Sequence, residues 1–303
     1  QAVGVGIRSV FGIFQQENIS SVFDHIRSGR EWGLSTLLSH YYLGIYNTPV
    51  ESSNVGKEYY EQLLNYLKRS GSNQTVALNC DVLVNIDLNQ VFHLHNTIDA
   101  PITVVYKKMH HRDISEVNAV LEIDETDHVR RQKLFDGTDP DALYNMSTDI
   151  FIVDTPWLIE RLESEIHKEH PEKLRYILRD LAVEHGAFAF EYTGYIANIH
   201  SVESYYRANL DMLETNKFMS LFSPNQKVYT KVKNEEPTYY APGSQIKNSQ
   251  FASGSIVEAL VHDSVISRRV HLHKQKFVVV FCSQVSLSMR EQSLSMRFLT
   301  KGL

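Results

Sequence analysis

GYIANIHSVESYYRANLDML, residues 194–213, reads as the end of a strand, a turn and an amphipathic helix that opens on Ser-x-x-Ser. In an open α/β sheet, ligands gather beyond the carboxyl ends of the strands. The turn Tyr195-Ile196-Ala197-Asn198-Ile199-His200 is therefore where an α/β enzyme would place a catalytic side chain. The side chain that stands where an acid would act is an amide, Asn198. The stretch argues for an α/β fold and asks whether this turn is a site or the remains of one.

The totals exclude several classes. A chain of 303 residues has room for one to three domains. Its net charge of −6, from 30 basic and 36 acidic residues, offers no broad attraction for nucleic acid. No apolar run approaches the ~20 residues of a membrane-spanning helix. The opening residues, with Arg8 amid a short apolar stretch, carry no signal-peptide pattern. The two cysteines, Cys80 and Cys282, are far apart, so a reducing, cytoplasmic home is expected.

Apolar runs and helical patterns alternate along the chain. IRSVFGIF (7–14) is a strand candidate, and ENISSVFDHIRSG (17–29) a helix with Gly29 past its end. GKEYYEQLLNYLKRSG (56–71) puts Tyr60, Leu63, Leu64 and Leu67 on one helical face. QTVALNCDVLV (74–84) reads as a buried strand, DLNQVFHLHNT (87–97) as a helix and PITVVYKKM (101–109) as a strand. DIFIVDTPWLIERLESEIHKE (149–169) is strand, then cap, then helix with Pro156 in its first turn. EKLRYILRDLAVEHG (172–186) and FAFEYTGYIANI (188–199) read as helix and strand, with short antiparallel strands inserted around 108–145. The βαβ alternation predicts a Rossmann-like domain with a mostly parallel mixed sheet over 1–216. Residues 217–240, with Pro237, read as a linker. In FASGSIVEALVHDSVISRRVHLHK (251–274), Ile256, Val261 and Ile266 recur at near-regular intervals, which suggests parallel β-helix coils over 241–274 rather than a plain strand pair.

Several clusters compete as sites. GVGIR (4–8) is a faint Gly-rich phosphate loop, but the next residues form a strand where a cradle needs a helix, so a turn is expected. The pairs His93/His95, His110/His111 and His271/His273 have no cysteine or carboxylate at ligand spacing and read as packed or solvated histidines. Ser28, Gly29 and Arg30 could hold an anion or simply end a helix. Asp81 is the strongest single candidate, a carboxylate at the ligand edge of a sheet, where Mg²⁺ is commonly held beside phosphates.

In order, these segments resemble bacterial ADP-glucose pyrophosphorylase (glucose-1-phosphate adenylyltransferase). LNCD (78–81) resembles that family's LSGD, HIRSGREWG (25–33) its HIGSGxxW, and 194–213 its GYWxDVGTxxSYxxANxxLL. The resemblance runs from about residue 7 to 274 and lies closest to GlgD-type subunits. It implies a nucleotidyltransferase domain followed by a short left-handed parallel β-helix. It also implies Mg²⁺, ATP and glucose 1-phosphate as the family's ligands, and a GlgC-type catalytic partner in a hetero-oligomer, expected as a tetramer.

The departures from the family pattern decide the functional expectation. The first metal aspartate falls on Asp81, but the second falls on Asn198. The Trp before the second falls on Ile196, the Gly of DVGT on His200 and the Gly of LSGD on Cys80. GTADA falls near Gly56-Lys57-Glu58-Tyr59-Tyr60, and SMG on Asn145-Met146-Ser147. The sugar-phosphate lysine falls on Lys133, followed by Leu134 in place of Pro. The family's triphosphate loop has no counterpart in the sequence. The resemblance thus implies a poorly catalytic or regulatory subunit, with Asp81 and Asn198 as vestigial metal positions and Lys133, Ser28, Gly29 and Arg30 as sugar-phosphate or effector candidates. The alternatives are a competent Mg²⁺-dependent adenylyltransferase and a free sugar-phosphate sensor. After Lys274 the rhythm stops, and SLSMR occurs twice, at 286–290 and 293–297. Residues 275–303 are therefore expected to be an aberrant tail, read from a shifted frame.

Overall fold

The computed structural model describes residues 2–26, 29, 33–34, 40–47, 52–98, 100–139, 141–228, 234–273, 276–278, 280–282 and 297–299. The described chain divides into two compact units, residues 1–194 with 224–231 and residues 195–223 with 232–303.

The first unit begins with a parallel pair. β1 (Ser9–Gln15) lies beside β2 (His40–Tyr46), with α1 (Ile19–Ile26) between them in sequence. The single turn Val3–Val5 closes on Gly6, whose φ of +85° is a glycine conformation, and the chain then enters β1. No helix follows the GVGIR segment, so the phosphate-cradle geometry is not there. α2 (Lys57–Ser70) follows, and Tyr59, Tyr60, Leu63, Leu64 and Leu67 are its buried face. These residues recur at the 3.6-residue period that one helical face demands. Each large apolar side chain fully buried there stabilises the unit by about 1.5–3 kcal/mol.

β3 (Gln74–Ala77) and β4 (Val82–Val84) replace the single strand expected over 74–84. The break at 78–81 has a local cause. The Asn79 side chain accepts from the Cys80 backbone N–H and donates to Asp81. Such side-chain bonds compete with a ladder for the backbone. Asp81 therefore lies in the loop between two short strands and not at the end of one long strand.

α3 (Leu88–Thr97) starts at Asp87, whose carboxylate accepts from the Asn89 N–H. Next come β5 (Ile102–His110), β6 (Ala119–Ile123), β7 (Val129–Leu134), β8 (Leu143–Asp154), α4 (Thr155–Glu165), α5 (Leu174–Glu184) and β9 (Phe188–Glu191). The main sheet runs β7-β6-β8-β5-β9, with β3 also against β8. The sheet is mixed, as expected, but the parallel share is small. Only β5/β9 is parallel in it, while β3/β8, β5/β8, β6/β7 and β6/β8 are antiparallel. The reason is β8, which enters between β5 and β6 against the direction of both. Its residues Met146–Val153 are buried without interruption, and Ile150–Val153 pack on both sides of the sheet.

The second unit starts with β10 (Ile196–Asn198), α6 (Val202–Asp211) and α7 (Thr215–Leu221). α6 opens with a capping box, in which Ser201 Oγ accepts from the Ser204 N–H and Ser204 Oγ accepts from the Ser201 N–H. The expected strand 188–199 is thus interrupted. A side chain at Gly194, in the gap, would collide with the Tyr192 ring.

The rest of this unit is a set of short strands. They are β11 (Tyr239–Tyr240), β12 (Gln245–Lys247), β13 (Gln250–Phe251), β14 (Ile256–Val257), β15 (Leu260–His262), β16 (Val265–Ile266), β17 (His271–Leu272), β18 (Lys276–Val278), β19 (Val280–Cys282) and β20 (Arg297–Leu299). They form three parallel ladders, β11-β14-β17, β12-β15-β18 and β13-β16-β19-β20, which successive strands from β11 to β19 visit in turn. The ladders continue past Lys274, where the six-residue rhythm stops, because KFVVVFC (276–282) is itself strand-prone. Their core is Val257, Ala259, Val261, Ile266, Val270 and Leu272. Val261 and Ile266 are inside as the rhythm predicts. Ile256 is 38% exposed, and Val257 takes its place in the core. Leu272→Ala should therefore cost about 2–5 kcal/mol in chemical denaturation. Ile256→Ala should cost no more than about 1 kcal/mol. Equal losses would place the core on the other face of β14.

Candidate functional site

Asp149 organises the polar centre of the first unit. A register shift in β5/β8 between Val105 and Tyr106 leaves Thr148 and Asp149 outside the regular pairing. Thr148 Oγ1 donates to the Val105 carbonyl at 2.8 Å and pins the bulge. Asp149 takes φ +54°, a left-handed conformation that aspartate tolerates better than most residues. The bulge re-aims the side chain, which is what such irregularities do in a sheet.

The buried Asp149 carboxylate meets α5. Arg179 grips it with two bonds, Nε to Oδ1 at 2.8 Å and Nη2 to Oδ2 at 2.7 Å. Arg175, one turn earlier on the same helical face, donates Nε to Oδ2 at 2.8 Å. Arg179 also donates to the Val117 carbonyl at 3.2 Å. The second hand of Arg175 reaches Asp81, with Nη1 2.9 Å from Oδ2. Asn79 Nδ2 donates to the same carboxylate at 2.9 Å. Burial works against the Arg175 charge, but Asp149 and Asp81 outweigh it and raise its pKa. The result is a chain of alternating charges, Arg179–Asp149–Arg175–Asp81, that sums to zero.

Asn198 is buried on β10 in the second unit. The His200 N–H donates to Ser204 Oγ at 3.0 Å, so the end of this turn serves to start α6. Lys133, on β7, is half exposed and pairs with Asp136 at 2.9 Å, which raises its pKa. Gly29 is buried with φ +70°, and a Cβ there would press on Leu34 and Tyr41. Ser28 and Arg30 lie outside the described residues.

The sequence reading missed Arg175, Arg179 and Asp149. The available signal was two arginines four apart on one helix, but nothing local to them names their carboxylate. The reading that His271 and His273 lack a carboxylate is corrected by the fold. Glu258 Oε2 lies 3.2 Å from His273 Nδ1 and 3.9 Å from His271 Nε2, because the ladder offset of 15 residues sets Ile256 beside His271.

The charge chain sets a stability contrast. Asp149→Asn leaves the buried Arg179 without its carboxylate and Arg175 with Asp81 alone, and should cost about 3–5 kcal/mol in urea denaturation. Asp81→Asn breaks a half-exposed pair and should cost no more than about 1 kcal/mol. Comparable losses at the two positions would show that Asp149 is not the centre of the network.

No family model matches this chain. Curated proteins do. The chain is 28% identical over 285 residues to the glycogen biosynthesis protein GlgD of Bacillus subtilis (strain 168), covering 90% of this chain and 69% of that protein. It is 24% identical over 280 residues to a glucose-1-phosphate adenylyltransferase of Geobacillus stearothermophilus, covering 89% of this chain and 70% of that one. It is 23% identical over 294 residues to the enzyme of that name from Bacillus mycoides (strain KBAB4), covering 90% and 73%. The resemblance carried by the motifs therefore extends along nine tenths of the sequence, and the chain is similar over that length to the GlgD protein and to glucose-1-phosphate adenylyltransferases.

Proposed function

We propose that this chain is a GlgD-type, non-catalytic subunit. It supports the formation of ADP-glucose and pyrophosphate from ATP and glucose 1-phosphate for glycogen biosynthesis. The similarity to the Bacillus subtilis protein and to the adenylyltransferases supports the pathway. One observation carries the non-catalytic part: Asp81, at the family's first metal position, is already paired with Arg175.

Phosphoryl and nucleotidyl transfer depend on Mg²⁺ and cationic groups to neutralise phosphate charge. The residues present here do not fit that ion. Arg175 sits on Asp81 as a fixed cation, itself anchored by the buried Asp149. Like unit charges at about 4 Å repel by ~4 kcal/mol at an effective dielectric of 20, and a divalent ion feels twice that. Asn198 offers an amide where the resemblance expects a second carboxylate, so no charge returns there to compensate. No step of a reaction is therefore assigned to Mg²⁺ on this chain.

A GlgC-type catalytic subunit would supply the chemistry in a hetero-oligomer, a tetramer in our reading, in the cytoplasm. The three parallel ladders are read as the left-handed β-helix of the family and as the surface through which the subunits meet. Lys133 is read as a remaining sugar-phosphate or effector contact, with Asp136 holding its place until an anion arrives.

The isolated chain should release no pyrophosphate from ATP and glucose 1-phosphate above background, and should change the rate or effector response of a GlgC-type enzyme when mixed with it. Clear Mg²⁺-dependent turnover by the pure chain would overturn the reading. Asn198→Asp alone should not restore activity, because Arg175 still occupies Asp81.

Binding of glucose 1-phosphate, measured by calorimetry, should weaken by about ten- to a hundredfold in Lys133→Ala, the scale of one charge-assisted hydrogen bond. Equal affinity in parent and variant would remove Lys133 from any site.

A further inference from the structure

The second unit carries a cluster that the proposed function leaves unused. His271 and His273 flank Leu272, which is fully buried. Side chains alternate along a strand, so both histidines point to the opposite, outer side. One coil earlier, Val257 pairs with Leu272, and the Glu258 N–H donates to the Leu272 carbonyl at 2.8 Å. That bond fixes Glu258 directly beside His273. Three potential ligands from two neighbouring coils thus share one outer face.

The distances suit a small metal ion. Glu258 Oε2 lies 3.2 Å from His273 Nδ1 and 3.9 Å from His271 Nε2, and one ligand atom from each of the three residues lies within 4.8 Å of the others. Tetrahedral ligands at 2.0–2.1 Å from Zn²⁺ stand about 3.4 Å apart. The two imidazole rings are already held together, with centroids 3.7 Å apart. The Nε2 atom of His271 is shielded from solvent and makes no hydrogen bond. A Glu258–His273 hydrogen bond alone leaves that nitrogen unused, whereas a shared cation engages all three groups. The side chains are one-third to one-half exposed, so a water or an outside ligand can complete the shell.

We propose that Glu258, His271 and His273 form a site for a borderline divalent transition metal of the Zn²⁺ class. Two imidazoles and one carboxylate are a ligand set that Zn²⁺ takes. Imidazole nitrogen favours Zn²⁺, Cu²⁺ and Ni²⁺ over Mg²⁺ and Ca²⁺, which take oxygen. Because the ligands come from adjacent coils, the ion clips β17 and the segment after it to the coil of β14. The site shares no residue with the Asp81 and Asn198 positions, and its test does not depend on any nucleotidyl transfer.

The experiment uses the whole chain, freed of metal by a chelator and titrated with Co²⁺, then with Zn²⁺. One equivalent of Co²⁺ should develop the visible absorption of a low-coordinate site, and one equivalent of Zn²⁺ should abolish it. Zn²⁺ should also raise the thermal midpoint. Glu258→Gln, which preserves shape on the surface, and His273→Ala should each weaken Co²⁺ binding at least about tenfold and remove the thermal shift. His273→Asn serves where the alanine variant fails to fold. The double variant His93→Ala/His110→Ala, in the first unit, should bind as the parent does. No displaceable Co²⁺ signal in the parent, or equal affinity in parent, Glu258→Gln and His273→Ala, would overturn the site.

Discussion

One buried carboxylate, Asp149, determines how the polar centre of the first unit is wired. It is taken out of register by a β-bulge, held in a left-handed backbone conformation and gripped by Arg179 through two parallel bonds. Those bonds hold α5 to the sheet at a fixed rotation. The rotation sets Arg175, and Arg175 reaches Asp81. A charge this deep is tolerable only when it is paired and fully hydrogen-bonded. The arginines are therefore a requirement of the fold as much as a feature of the site. Their consequence for chemistry follows directly: the carboxylate that would draw a metal ion is already neutralised by a cation built into the fold.

The second unit rests on a different constraint. Parallel ladders of two- and three-residue strands have little intrinsic stability, so burial inside the coils must hold them. Val257, Val261, Ile266 and Leu272 supply that burial. The same stacking that aligns these residues inward aligns Glu258, His271 and His273 outward. A single register thus sets both the core and the candidate metal site. In this unit the geometry of the site follows from packing.

Much of the local structure was legible in the sequence. The buried face of α2, Pro156 in the first turn of α4 and the Ser-x-x-Ser start of α6 all follow from spacing or from side-chain chemistry within one helical turn. The motif resemblance points to the same proteins to which the chain is similar along nine tenths of its length. What stayed illegible involved longer range or finer phase. Asp149 meets Arg175 and Arg179 across 26 and 30 residues, and only the fold makes that pairing. The aliphatic rhythm gave the coils their spacing but misassigned β14 by one residue, since period alone cannot choose between Ile256 and Val257. The strand over 74–84 broke because the Asn79 side chain bonds the backbone and side chain beside it. The antiparallel entry of β8 could not be read from an alternation of strands and helices, which is equally compatible with either direction.

Asp81, neutralised by Arg175, is expected to hold no divalent ion of the Mg²⁺ type. Mn²⁺, as a paramagnetic stand-in for Mg²⁺, tests it most directly by electron paramagnetic resonance. The titration is best made on the Glu258→Gln chain, so that the outer histidine cluster does not contribute. No stoichiometric Mn²⁺ binding is expected at sub-millimolar concentration, with or without ATP. One tightly bound Mn²⁺ per chain, lost on Asp81→Asn, would contradict it.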